Sequence, residues 1–138
     1  MIRFLIMFLA IAGALGNSHP NKRTCLSVDQ VVREQQQYLG QTIAVRGYLL
    51  FGDDARNLWN DMDSYKHVKR GYVPPDDPAW KRCITVTGKG LGRERMKKLS
   101  GHYVTVKGVL QKHTLPPNVI AFGSCNDLWI SMDYVAQD

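Results

Sequence analysis

The sequence predicts a mainly β protein: a small, closed or nearly closed five-stranded barrel, with an amino-terminal helix and a short helix between the third and fourth strands. Three observations carry this. The chain holds one ten-residue pattern twice, GQTIAVRGYL at residues 40–49 and GHYVTVKGVL at residues 101–110, matching Gly40 to Gly101, Ile43 to Val104, Val45 to Val106, Arg46 to Lys107, Gly47 to Gly108 and Leu49 to Leu110. Each copy alternates β-branched and polar residues, and period-two alternation turns one face of a strand toward a core. Each copy then meets a glycine inside the strand, the mark of a bulge or a sharp bend, as at a barrel corner. Two strands built to bend at the same place suit a sheet that closes on itself.

Before the first element lies MIRFLIMFLAIAGALG. Arg3 supplies a positive flank, Phe4 to Ile11 an apolar run, and Ala14-Leu15-Gly16 a small-residue cleavage pattern, so residues 1–16 read as an export signal. Cleavage after Ala14 is the alternative. The apolar run falls short of the ~20 residues needed to span a bilayer, and no stable membrane span is expected after cleavage. Residues 17–27 form a polar leader, and residues 28–138 are expected to make one domain.

Ser27 can cap a helix whose apolar positions Val28, Val31, Val32 and Leu39 fall on one stripe, and Gly40 ends it. The first strand covers about 42–52, closed by the turn residues Gly52-Asp53-Asp54, and a short second strand follows at Asn57–Asn60. Residues Asp61 to Trp80, with Pro74, Pro75 and Pro78, read as a long irregular loop. The third strand is Arg82–Thr87. Leu91, Arg95, Met96 and Leu99 then space a short amphipathic helix. The fourth strand runs His102–His113, Pro116-Pro117-Asn118 opens a loop, and the fifth runs Leu128–Val135 with Leu128, Ile130 and Met132 on one face.

Five strands with a helix between the third and fourth is the arrangement of the OB-fold. From Gly40 to Val135 the chain resembles the small exported OB-fold proteins of bacteria, many of which have no assigned function. The G-x-x-[IV]-x-V-[RK]-G-x-L pattern resembles the first and fourth OB strands, and CITVTG (residues 83–88) the third. This resemblance implies a barrel; it carries over no catalytic residue and implies no cofactor.

The three cysteines, Cys25, Cys83 and Cys125, contain no CxxC spacing suited to zinc. In an oxidising compartment two are expected to pair. In an OB barrel the third and fifth strands run parallel as neighbours. The resemblance thus brings Cys83, at the start of the third, to the same rim as Cys125, just before the fifth. A pairing of Cys25 with either remains open.

If Ile43 and Val45 point inward, Arg46 and Tyr48 point outward, and Asn57, Trp59, Thr85 and Thr87 can share that surface. OB-folds bind oligomers there with stacking aromatics and basic side chains, and Arg46, Tyr48, Trp59 and Arg82 are the corresponding set. The competing reading packs Tyr48 and Trp59 beneath the amino-terminal helix or the long loop. Within that loop Tyr65, Lys66, His67, Lys69, Arg70 and Tyr72 interleave bases and rings, a pattern suited to a polyanion or equally to a solvated loop. Arg93, Arg95, Lys97 and Lys98 read as a solvated helix face. The net charge of +6, or +5 once Arg3 leaves with the signal, admits an anionic partner.

Sharper motifs fail. Gly88-Lys89-Gly90-Leu91-Gly92 lacks phosphate-loop spacing. Asp53-Asp54 and Asp61-Met62-Asp63 lack the remaining ligands of an EF-hand. His19, His67, His102 and His113 show no metal spacing, and no Ser or Cys sits in a nucleophile elbow. The expectation is an exported, non-enzymatic OB-fold binding module, periplasmic or secreted. Its partner is a polyanion, single-stranded nucleic acid among them, or an envelope protein; a metal-dependent phosphodiesterase is the least favoured class.

Overall fold

The computed structural model describes residues 25–53, 55–70, 74, 77–88, 92–114 and 125–138. The expected export signal, the expected leader up to residue 24 and the expected loop at Pro116-Pro117-Asn118 lie outside the described residues. The described residues form six strands: β1 (Leu26–Ser27), β2 (Thr42–Phe51), β3 (Arg56–Trp59), β4 (Cys83–Thr87), β5 (Tyr103–Lys112) and β6 (Leu128–Gln137). Four α-helices, α1 (Val28–Arg33), α2 (Gln35–Tyr38), α3 (Met62–Lys69) and α4 (Arg93–Leu99), and a 3-10 turn at Pro78–Arg82 lie between them. The strands form one sheet in the order β1-β2-β3-β4-β6-β5, and a further β2–β5 pairing closes it into a ring.

That closure is made by the two copies of the repeat. β2 and β5 run antiparallel in continuous register from Thr42 opposite Val109 to Tyr48 opposite Tyr103, with Val45 opposite its own counterpart Val106. The copies are therefore related by a local twofold through the Val45–Val106 pair. Hydrogen bonds beyond the ladder obey it: Gly40 N–H donates to Leu110 C=O and Gly101 N–H to Leu49 C=O, both at 2.8 Å. Gly40 and Gly101 both adopt positive φ, 77° and 85°, the left-handed conformation that favours glycine.

The buried positions follow the repeat: Ile43, Val45, Gly47 and Leu49 from one copy, Val104, Val106, Gly108 and Leu110 from the other. They meet Leu58, Ile84, Val86, Leu128, Ile130, Met132 and Val135, with Val28, Val31 and Met96 supplied by α1 and α4. The β5–β6 register shifts by one residue between Lys107 and Gly108. This bulge moves the buried positions of β6 from Leu128, Ile130 and Met132 to Val135. Gly108 is required at it: a Cβ there would overlap the Ser131 carbonyl and lie 2.8 Å from Met132 Cα. At Gly47 the edge partner of β2 changes from β1, paired at Val45 and Arg46, to β3, paired from Tyr48 onward. A Cβ there would lie 2.5 Å from the Trp59 carbonyl oxygen.

Three local expectations are corrected. The amino-terminal helix is capped as expected, with Ser27 Oγ accepting from Gln30 N–H at 3.1 Å, but it breaks at Glu34 into α1 and α2. Residues 26–27, expected in the polar leader, form a parallel edge strand on β2. The stretch from Asp61 to Trp80 holds α3 and most of the 3-10 turn. Asp61 caps α3 by accepting from Ser64 N–H at 2.7 Å, and Asp77 caps the turn by accepting from Ala79 N–H at 2.7 Å.

Candidate functional site

On the outer side of β2 and β3, five aromatic rings stand in series. Tyr103 and Tyr48 meet edge to face with centroids 5.5 Å apart, Tyr48 and Tyr65 lie at 6.1 Å, Tyr65 and Trp59 at 6.0 Å, and Trp59 and Trp80 at 6.1 Å. Such separations fall within the range of favourable aromatic pairs. The sequence explains the placing. Tyr48 sits opposite Trp59 in the β2–β3 ladder and opposite Tyr103 in the β2–β5 ladder, so the three share a sheet face. Tyr65 comes from α3, where Ser64, Tyr65 and Val68 turn inward. Trp80 comes from the 3-10 turn, its indole N–H donating to the Pro74 carbonyl at 3.0 Å.

The sequence-predicted residues divide into three groups. Tyr48 and Trp59 join the run; Tyr48 is half-buried, while Trp59 is only 2% exposed, closed in by Tyr65 and Trp80. Asn57 and Thr85, expected on the same open surface, are also buried. Arg46 is exposed, ion-paired to Asp138, with its guanidinium 5.9 Å from the Tyr103 ring centre. Lys66 and Arg70 stand exposed on and just after α3 with Lys69, whose ammonium lies 5.7 Å from the Tyr65 ring centre. Among the described residues no carboxylate lies within 4.0 Å of these three cations.

Arg82 is the clamp of this region rather than a free cation. Its Nη2 donates to Asp61 Oδ2 at 2.7 Å and to Asp29 Oδ2 at 3.0 Å, and its Nε to Asp29 Oδ1 at 3.2 Å. Asn60 completes the network: its Oδ1 accepts from Asp29 N–H at 3.1 Å, and its Nδ2 donates to Asp61 Oδ2 at 3.0 Å. The hydrogen bonds from Arg82 to Asp29, with the charges of Asp29 and Asp61, hold the guanidinium pKa above its ordinary value. Burial pushes the Asp61 carboxyl up. The bonds from Ser64 and Asn60 and the charge of Arg82 outweigh it, leaving the group below its ordinary value. The clamp thereby fixes α1, the end of β3, the amino-terminal end of α3 and the 3-10 turn to one another.

Cys83 and Cys125 form the disulfide, with Cα atoms 5.8 Å apart, and Cys25 is the free, exposed thiol. β4 and β6 are parallel neighbours with Thr85 opposite Trp129, which brings the chain just before β6 to the starting end of β4. Asn126 supports the link by donating to the Cys83 carbonyl at 2.6 Å. A structural disulfide suits a non-reducing compartment. Among the described residues, no helix is long and apolar enough to cross a membrane, and no group of three or more His, Cys, Asp or Glu gathers as a metal site.

Two open grooves flank the aromatic run. One of about 460 Å³ lies against Cys25, Arg46, Asn60 and Tyr103. The other, about 900 Å³, lies against Arg33, Trp80, Lys81, Arg82, Lys112 and Leu128. The second basic cluster is partly engaged: Arg93 pairs with Asp53, and Arg95 donates to the Val135 carbonyl at 3.0 Å, while Lys97 and Lys98 are exposed. Sequence reasoning missed α3, Tyr103 and the Asp29–Asp61 clamp. The spacing Asp61-x-x-Ser64, with Tyr65 and Val68 three apart, was the available signal for α3. Comparison of the chain with protein-family models, with curated proteins and with solved structures finds no match.

Proposed function

We propose that this is an exported, non-catalytic binding module of the OB type, and that it binds an extended polyanion along α3 and the adjoining Tyr103–Arg46 edge. The observation that carries the reading is the group Lys66, Lys69 and Arg70, three exposed cations without carboxylate partners among the described residues, with Lys69 5.7 Å from the Tyr65 ring centre and exposed aromatic surface at Tyr103 against the amino-terminal end of the same helix. A groove or ridge that joins cations to rings is the chemistry that holds phosphate backbones and stacks bases. The ring closed by β2 and β5, with a helix between β4 and β5, supports the OB reading. The Cys83–Cys125 link supports a periplasmic or secreted address.

A salt series with an oligothymidylate tests the function. Binding is expected to weaken steeply with salt, and Lys66→Ala and Arg70→Ala should each reduce the log–log slope by about 0.7, the value for one single-strand phosphate contact. Unchanged slopes in both variants would move the surface elsewhere. No binding at low salt would remove nucleic acid as the ligand and favour an envelope protein, to be sought by pull-down from envelope extract.

A further inference from the structure

We infer that the aromatic run beneath α3 is a covered ring-stacking site, with α3 as its lid, and that its ligand is a planar ring carried on an anionic chain, as in single-stranded nucleic acid. The inference rests on the polyanion reading and adds to it where the rings of the ligand go.

Three observations converge. First, α3 covers the sheet aromatics with one side chain: Tyr65 alone lies against both Tyr48 and Trp59. Second, the cover is thinly held. Of its eight residues only Ser64 is fully buried, and Met62, Asp63, Lys66, His67 and Lys69 are exposed. Asp61, held by Arg82, anchors its amino-terminal end; beyond that anchor its hydrogen bonds to the rest are the Met62 N–H donating to the Tyr103 hydroxyl at 3.3 Å and the His67–Asp77 contact at 3.2 Å. A helix this short has little stability of its own. Third, the closed arrangement leaves polar atoms stranded. The indole N–H of Trp59 and the hydroxyl of Ser64 are buried with no hydrogen-bond partner among the described residues. Trp59 is 2% and Ser64 6% exposed, so neither group is open to solvent. An unpaired buried donor is costly, and a ring ligand bearing acceptors would relieve it.

Opening joins the two halves of the chemistry. The cations Lys66, Lys69 and Arg70 travel with or next to the lid, while Trp59, Tyr48 and Trp80 stay on the ring and its 3-10 turn. Phosphates on the lid and bases on the uncovered rings would then be held by one movement.

The test makes Trp59 the sole fluorophore by Trp80→Phe and Trp129→Phe, the chain having three tryptophans. Oligothymidylate should quench its emission. Tyr65→Ala, which removes the covering ring, should raise acrylamide quenching of Trp59 several-fold and tighten oligothymidylate several-fold. Salt-dependent binding with unchanged Trp59 emission, and acrylamide quenching indifferent to Tyr65→Ala, would overturn the lid while leaving the polyanion reading intact. Hydrogen exchange on the unaltered protein decides the lid whether or not oligothymidylate binds. α3 amides should exchange roughly a hundredfold faster than those of β2 and β5 through local opening. Equal protection would overturn it.

Discussion

The two copies of the repeat, Gly40–Leu49 and Gly101–Leu110, pair with each other yet live in different surroundings. Inward they are equivalent, with the same four buried positions, a left-handed glycine before each strand, and reciprocal hydrogen bonds across the twofold. Outward they diverge. The second copy is flanked along its length by ten-residue β6, whereas the first meets only two-residue β1 and then four-residue β3. The short neighbours leave room over the first copy for α3. Of its outward residues, Arg46 therefore lines a groove and Tyr48 lies against α3, where Lys107 and Val109 pair with β6 on either side of its bulge. One pattern serves as the closing seam, and the departures from symmetry beside it make the candidate surface.

The strongest way to break this contrast is through the flank that only the second copy has. β6 is joined to β4 by parallel pairing and by the Cys83–Cys125 link, a separation of 42 residues. Replacing both cysteines by alanine should cost about 3–4 kcal/mol in the chain-entropy view, read by denaturant melts. A loss well below that would mean the β2–β5 seam holds the ring without help.

Next come the mid-strand glycines. Gly47→Val should cost about 1–3 kcal/mol, because the new side chain meets the Trp59 carbonyl and the more yielding Leu58. Gly108→Val should reach the top of that range or exceed it, since its obstacles, Ser131 and Met132, are backbone at a bulge. Equal melting temperatures would erase the difference between the two environments. The glycines that start each copy should behave alike. Gly40→Ala and Gly101→Ala meet no close atom that must move, so each should cost only the left-handed strain of about 1–2 kcal/mol. A large inequality would show that the twofold does not extend to the turns.

The smallest effect is acid sensitivity on the first copy's side. The Asp61 carboxyl is held below its usual 3.8, so the unfolded chain takes up its proton first as pH falls. Its contribution is complete above the unfolded value and lost as pH drops through the folded one. Stability should therefore decline below about pH 4. Asp61→Asn should flatten that decline; an identical acid profile would place the titration elsewhere.

The ring was legible because period-two alternation and a repeat are local properties. Val45, Val106, Ile84 and Ile130 could be assigned to the core from their immediate neighbours alone. The Cys83–Cys125 pair was favoured once the OB strand order was supposed, with Cys25 left as an alternative partner; the structure forms the favoured pair. That the 61–80 stretch covers Tyr48 and Trp59 was one of the two readings the sequence offered; which of its residues do so was not legible. Burial of Trp59 is decided by Tyr65 and Trp80, and the fate of Arg82 by Asp29, 53 residues away, and Asp61, 21 residues away. Prolines after residue 73 made the whole 61–80 stretch read as loop, although Asp61–Lys69 contains none and carries its own cap. The break at Glu34 and the edge strand at Leu26–Ser27 likewise depend on contacts that spacing does not encode.

The seam itself is tested most directly by a cross-strand NOE spectrum of the folded protein. The twofold pairing requires contacts linking Ala44 to Lys107 and Arg46 to Thr105, on either side of a Val45–Val106 pair. Those contacts, with equal amide protection at Val45 and Val106, are the expected result. A register displaced from that centre, or the absence of any contact between the two copies, would contradict a ring closed by its own repeat.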